Sequence, residues 1–152
     1  MGSWGIGPFD NDDAGEALIK LDGCKTENEF AAKVSSFIQY HQSDEFDEDD
    51  EYKAIASSAI VCLISEGQEF ETTKLEIIES NPFRFQVPND FQSIRNRFSN
   101  VDLTGIVPEA LKALSKISNT DSYVYELREG DVSWLSVLNE LDLRLKAYVS
   151  SE

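Results

Sequence analysis

Between Tyr52 and Ile64 the chain is apolar over more of its circumference than a surface helix can be. Tyr52, Ile55, Ala56, Ala59, Ile60 and Leu63 recur at the helical period, and Val61, Cys62 and Ile64 fill the remaining sides of the last turns. A helix of that kind has no solvent face, so other elements must surround it. The pattern therefore predicts a helix that runs through the centre of the core.

The flanking sequence supplies helices to do the surrounding. Ala14, Ala17, Leu18 and Leu21 share one face, with Asp10, Asp12 and Asp13 at the end where helix dipoles favour negative charge and Gly23 as the stop. Thr26 and Glu29 form a T-x-x-E capping box ahead of Phe30, Val34, Phe37 and Ile38, which marks a second helix. Pro108 suits the first turn of a helix whose apolar face is Val107, Ala110, Leu111, Leu114 and Ile117. A short helix is expected from Ser122 to Arg128, stopped at Gly130. A last helix follows Asp131, with Trp134, Leu138, Leu141, Leu145 and Tyr148 at helical spacing.

The middle is less regular. Gly67 is expected to close the central helix, and Pro82 and Pro88 interrupt a stretch holding Phe83, Phe85, Phe91 and Phe98 without period. Short helices are expected near Thr73 to Glu79 and Asp90 to Phe98, with a loop between. Sustained two-residue alternation is absent, so the expected fold is all-α: an irregular helical bundle with a Phe-rich middle segment, forming one domain over residues 1–152.

Charge narrows the partners. The chain carries 29 acidic against 13 basic residues, a net charge of -16. Fourteen of the acids precede Tyr52 against Lys20, Lys25 and Lys33, so the first third holds most of the field. Such a field repels nucleic-acid phosphates and anionic membranes and draws basic proteins at enhanced rates. Direct nucleic-acid and membrane binding are not expected. No stretch approaches the roughly 20 apolar residues of a membrane span, and the opening has no secretory pattern, so a cytoplasmic location is expected. Cys24 and Cys62 belong to no metal-binding spacing and read as thiols.

The residues for catalysis are scarce. His41 is the single histidine, and no nucleophile motif surrounds any serine or either cysteine. His41 reads as a surface residue near a helix end. The run from Asp10 to Gly15 begins like a calcium loop, but Ala14 and Leu21 occupy its fifth and twelfth positions and offer no side-chain oxygen. Gly2, Gly5 and Gly7 precede a helix but follow no strand, which favours a structural turn over a phosphate loop. No cofactor and no metal site are expected, and the protein is not expected to be an enzyme.

The densest signal is Asp44-Glu45-Phe46-Asp47-Glu48-Asp49-Asp50-Glu51, seven acids around one aromatic. It reads in two ways. It is a solvated loop that feeds the N-terminus of the central helix, or a docking patch whose acids steer a basic partner while Phe46 or Tyr52 adds apolar contact.

The opening carries a resemblance. Trp4, Gly5, Gly7, Phe9, Asn11, Asp12 and Ala14 reproduce the pattern Trp-Gly-x-Gly-x-Phe-x-Asn-Asp-x-Ala, which resembles the N-terminal signature of a bacterial family catalogued as domain of unknown function 4259. The C-terminal half is similar more loosely, at Ala110, Leu114, Ser122, Glu126, Leu127, Trp134 and the stretch from Leu141 to Leu145, whereas residues 68–105 depart from it. The resemblance implies a small helical protein and supplies no catalytic residues. Its signature also has a structural account: Trp4 and Phe9 as packing anchors, Gly5 and Gly7 in a tight turn, and Asn11 or Asp12 as a helix cap.

Together these features point to an acidic protein-binding module, an inhibitor or immunity-type protein that neutralises a basic toxin or nuclease. The alternative is a small-ligand or metal-binding protein or enzyme, with a carboxylate site near the N-terminal segment built from Asp10, Asp12 and Asp13. A self-associating structural protein is a third reading.

Overall fold

The computed structural model describes residues 12–40, 45–80, 90–98, 100–119 and 122–150, and the side chains among them other than 65–80, 90–92, 95, 133 and 150. The described residues form seven α-helices and no strand: α1 (Asp12–Asp22), α2 (Glu27–Ile38), α3 (Glu48–Ser80), α4 (Asp90–Phe98), α5 (Val107–Ile117), α6 (Tyr123–Leu127) and α7 (Val132–Ser150). The fold is all-α, as the apolar spacing predicts.

Helix α3 organises the rest. Every residue from Ala54 to Ile64 is buried, and α1, α2, α5, α6 and α7 all pack against this helix. Ala54, Ala56, Ser57, Ser58 and Ala59 are small, which lets neighbouring backbones approach, while Ile55, Ile60 and Leu63 fill the space between them. The Ser58 hydroxyl donates to the Ala54 carbonyl at 2.9 Å, so its polarity is absorbed within the helix. The buried apolar side chains form one contiguous cluster that also takes in Phe30, Ile94, Phe98, Leu103, Trp134 and Leu141.

The ends of α1 and α2 follow the sequence signals. The Gly23 N–H donates to the Ile19 carbonyl at 3.1 Å and closes α1. Thr26 accepts from the Glu29 N–H at 3.0 Å, and Glu29 accepts in return from the Lys25 N–H at 3.1 Å, one residue before the cap. The Cys24 and Cys62 thiols are buried and not joined in a disulfide.

Gly67 does not close α3. The helix continues to Ser80 and takes in the separate short helix expected near Thr73 to Glu79. One interior glycine costs only about 1 kcal/mol relative to alanine, and no proline lies between Gly67 and Ser80 to break the helix. The first proline after Gly67 is Pro82, and in sequence terms the residue before a proline disfavours the helical region.

Helix α4 draws part of the Phe-rich middle into the core. Phe98 stacks on Phe30 with centroids 4.4 Å apart. The Arg97 guanidinium donates to the Cys24 carbonyl at 2.7 Å and to the Asp22 carboxylate at 2.6 Å, and also to the Asp22 carbonyl. A cation thus meets the carbonyl end of α1, where the helix dipole favours it. Hydrogen bonds from Ser93 and Arg97 hold the Asp22 carboxyl below the ordinary aspartate range.

Candidate functional site

The acidic run turns into α3 through its own side chains. Asp47 precedes the helix, and its Oδ1 accepts from the Asp49 N–H at 3.1 Å. Its backbone N–H donates to Asp50 Oδ2 at 3.2 Å. This is a reciprocal cap of the capping-box kind, built from two aspartates. The positive end of the α3 dipole then sits under Glu48, Asp49, Asp50 and Glu51, which fill the first turn.

Beyond that turn the run divides. Glu45, Asp47 and Asp49 are exposed, and Phe46, Glu48 and Asp50 are half-buried. Glu51 is 1% exposed and so drops out of the surface patch. Its Oε1 accepts from the Val124 N–H at 2.8 Å and from the Ser122 hydroxyl at 3.4 Å. Burial pushes the Glu51 carboxyl above its ordinary range, while donors from Val124, Tyr123 and Ser122 pull it back. Ser122 itself accepts from the Tyr125 N–H at 2.9 Å. The first N–H groups of α6, which have no partner inside the helix, are thus met from two sides.

This arrangement explains how a helix of five residues holds its shape, since an isolated helix of that length is unstable in water. Its far end is also tied to α3. Arg128 Nε donates to the Tyr52 hydroxyl at 3.3 Å, and the guanidinium carbon lies 5.8 Å from the Tyr52 ring centre. Glu51 and Tyr52, consecutive on α3, therefore grip α6 at both ends. Gly130 follows at φ 65°, a left-handed turn that suits glycine, and Glu129 before it adopts φ 53°.

An aromatic row joins these parts. Phe46 meets Tyr40 edge-on at 5.0 Å and Tyr123 edge-on at 5.9 Å. Two hollows lie beside this row, Phe46 and Tyr40 bordering the first and Tyr123 the second. One, of about 410 Å³, lies between α1, α2 and α3 and is bordered by Lys20, Phe37, Tyr40, Phe46, Asp50 and Lys53. The other, of about 440 Å³, lies between the start of α3 and α6 and is lined by Glu48, Tyr123, Glu126, Leu127 and Glu129. Burial and the charge of Glu51 raise the pKa of the Tyr40 hydroxyl, which keeps it protonated.

A second acidic feature joins the N-termini of α1 and α3. Burial pushes the Asp13 carboxyl up to about 6, helped by a hydrogen bond to Asp49 and by its charge. One turn further along, Glu16 accepts from Lys53 at 3.3 Å and pairs with Lys20 at 3.0 Å. Those hydrogen bonds lower its pKa. Among the described residues, no group of three or more His, Cys, Asp or Glu side chains is arranged to hold a metal ion.

The residues singled out in the sequence divide accordingly. Asp12 opens α1 and is exposed, and Ala14 is fully buried on its inner face. Trp4, Gly5, Gly7, Phe9, Asp10, Asn11, His41 and Asp44 lie outside the described residues. Sequence reasoning missed the α6 wall of the second hollow. Its signal was present, because Tyr123 and Leu127 are four residues apart on one face of a helix whose buried residue is Val124.

An all-helical chain built on one through-running acidic-capped helix is the class that these elements define. The chain matches the family described as Domain of unknown function (DUF4259) over residues 2–133 and belongs to it. The match takes in the Phe-rich middle, where the resemblance read from the chain ends found no likeness, and stops just before Trp134. No curated protein and no solved structure matches the chain. No helix among the described residues is long and apolar enough to cross a membrane.

Proposed function

We propose that this protein is a binding module that covers a basic protein partner, of the kind formed by an inhibitor or immunity-type protein and the toxin or nuclease it neutralises. The observation that carries this reading is the outward face of the α3 N-terminus. There Glu45, Asp47 and Asp49 are exposed beside half-buried Glu48, Asp50 and Phe46. Charge and an aromatic anchor are thus combined at the start of one helix, the arrangement that steers a partner and then holds it. A nuclease must be basic to hold its substrate, which makes an acidic cover complementary to it. The charge of -16 supports the same direction. No cofactor, nucleic acid or membrane enters this reading, and a cytoplasmic location suits it.

The test is a pull-down of tagged protein from its native cells at low and high salt. The expected result is a protein of net positive charge that elutes as salt rises and is lost when Asp47, Glu48, Asp49 and Asp50 are replaced by their amides. Amides keep much of the capping geometry while removing charge. Retained partners that are not basic, or that ignore salt and these replacements, overturn the reading.

The Asp13–Asp49 pair favours a second reading, a carboxylate site for a small ligand or hard metal ion near the N-terminal segment. Perturbed carboxyl pairs mark functional sites more often than ordinary surface acids do. Calcium or magnesium would then raise the melting temperature of the wild type and leave Asp13→Asn unchanged. No shift in the wild type removes this reading for those ions.

A further inference from the structure

We propose that the hollow between the first turn of α3 and the outer face of α6 docks a basic peptide segment in which an arginine or lysine stands beside a bulky aliphatic residue. The inference rests on the basic-partner reading above and names the surface and the chemistry of the contact.

Leu127 is 62% exposed and Tyr123 is 47% exposed. A single exposed leucine is ordinary on a protein surface. Here the leucine and the tyrosine are four residues apart on one face of α6 and together form the apolar part of a concavity of about 440 Å³. That volume lies within the range of side-chain and small-molecule pockets.

Among the described residues, the rest of the lining is Glu48, Glu126 and Glu129, three carboxylates and no cation. Arg128, the basic residue within α6's own turn, is engaged on Tyr52. A guanidinium or ammonium group entering the hollow meets carboxylates from α3 and from the α6 side together with the Tyr123 side chain, and an adjacent aliphatic side chain covers Leu127. A second copy of this chain is a poor occupant, because its own charge of -16 opposes close approach.

The hollow is also built in advance of binding. Glu51 and Ser122 hold the start of α6, Arg128 ties its end to Tyr52, and Phe46 packs edge-on against Tyr123. A partner therefore need not order this wall, which removes one cost of association.

The probe is an end-capped hexapeptide of alternating arginine and leucine, titrated into the full chain by calorimetry, with arginine–serine and glutamate–leucine hexapeptides as comparisons. The arginine–leucine peptide is expected to bind most tightly and to weaken with salt. Its affinity should fall about tenfold in Tyr123→Ser, in Leu127→Ser and in the double variant Glu126→Gln/Glu129→Gln. These side chains are exposed or at the rim, and unchanged urea midpoints establish that the variants are folded.

Salt-sensitive binding that none of the three variants changes overturns the hollow as the site and leaves the basic-partner reading standing. Equal binding of the glutamate–leucine peptide overturns the basic chemistry of the occupant. If neither arginine peptide binds, the proposal fails, and the native-cell pull-down then decides separately whether a basic partner exists.

Discussion

Glu48 and Glu51 lie three residues apart in the first turn of α3 and belong to one acidic run, yet they occupy opposite worlds. Glu51 points into the protein and is met by the N-terminus of α6. Glu48 lines an open hollow on the outside of that same helix. The difference teaches that an acidic run is not one object. One member satisfies orphaned backbone donors and its cost would appear in stability, while its neighbours shape a field whose cost would appear in binding.

The largest expected effect breaks that contrast on its inner side. Glu51→Ala leaves the buried Val124 N–H without an acceptor and frees the start of α6, and should cost about 3 kcal/mol of stability. Glu51→Gln keeps an acceptor and should cost about 1 kcal/mol. Glu48→Gln should move the urea midpoint by less than about 0.5 kcal/mol equivalent, since it loses only part of a screened helix-dipole interaction. Equal losses at Glu48 and Glu51 would dissolve the distinction.

Next comes the turn that ends α6. A Cβ on Gly130 would lie 2.9 Å from the Tyr125 hydroxyl oxygen, in a backbone conformation of φ +65°. Gly130→Ala should therefore cost about 2 kcal/mol in a urea titration. A smaller loss would mean that the α6–α7 corner yields more readily than its packing implies.

Much of this architecture is legible in the residues. The helical period from Tyr52 to Leu63, apolar nearly all round in its C-terminal half, identified the buried helix, and Thr26 with Glu29 identified the start of α2. Those are local signals, set by period and by caps within a few residues. The end of α3 was not legible in the same way, because Gly67 is a weak breaker whose effect depends on everything around it. The two roles inside the acidic run were hidden for a different reason. Glu51 meets Val124 across 73 positions of sequence, and nothing at either end announces the other. The i, i+4 spacing of Tyr123 and Leu127 was visible in the sequence, but that the pair walls a hollow depends on where α6 packs against α3.

The Asp13–Asp49 pair extends the comparison to pH. Asp13 moves from the ordinary aspartate value of 3.8 up to about 6, with burial as the first cause and Asp49 as the second. Between those two values the folded state holds more protons than the unfolded state, so this pair's contribution is complete below 3.8 and is lost as pH rises through about 6. Asp49→Asn removes the like charge and should flatten that slope in pH-dependent thermal melts. The gain at neutral pH should be less than about 1 kcal/mol, because the pair lies at the solvent edge and is screened. A slope unchanged by Asp49→Asn would assign it to other carboxyls.

The smallest effect separates the two faces most cleanly, because stability and binding should move in opposite directions. Glu129 is exposed and adopts φ 53°, a left-handed conformation that costs a residue with a Cβ about 1 kcal/mol. It also lines the hollow between α3 and α6. Glu129→Gly relieves the backbone and should raise stability by about 0.5 kcal/mol, after the extra freedom of glycine in the unfolded chain is discounted. The same change removes one carboxylate and should weaken binding of the arginine–leucine peptide. A stability gain with unchanged binding would make Glu129 a residue of the turn alone. Weaker binding together with a stability gain would show that this corner keeps a strained acid because the outer face uses it.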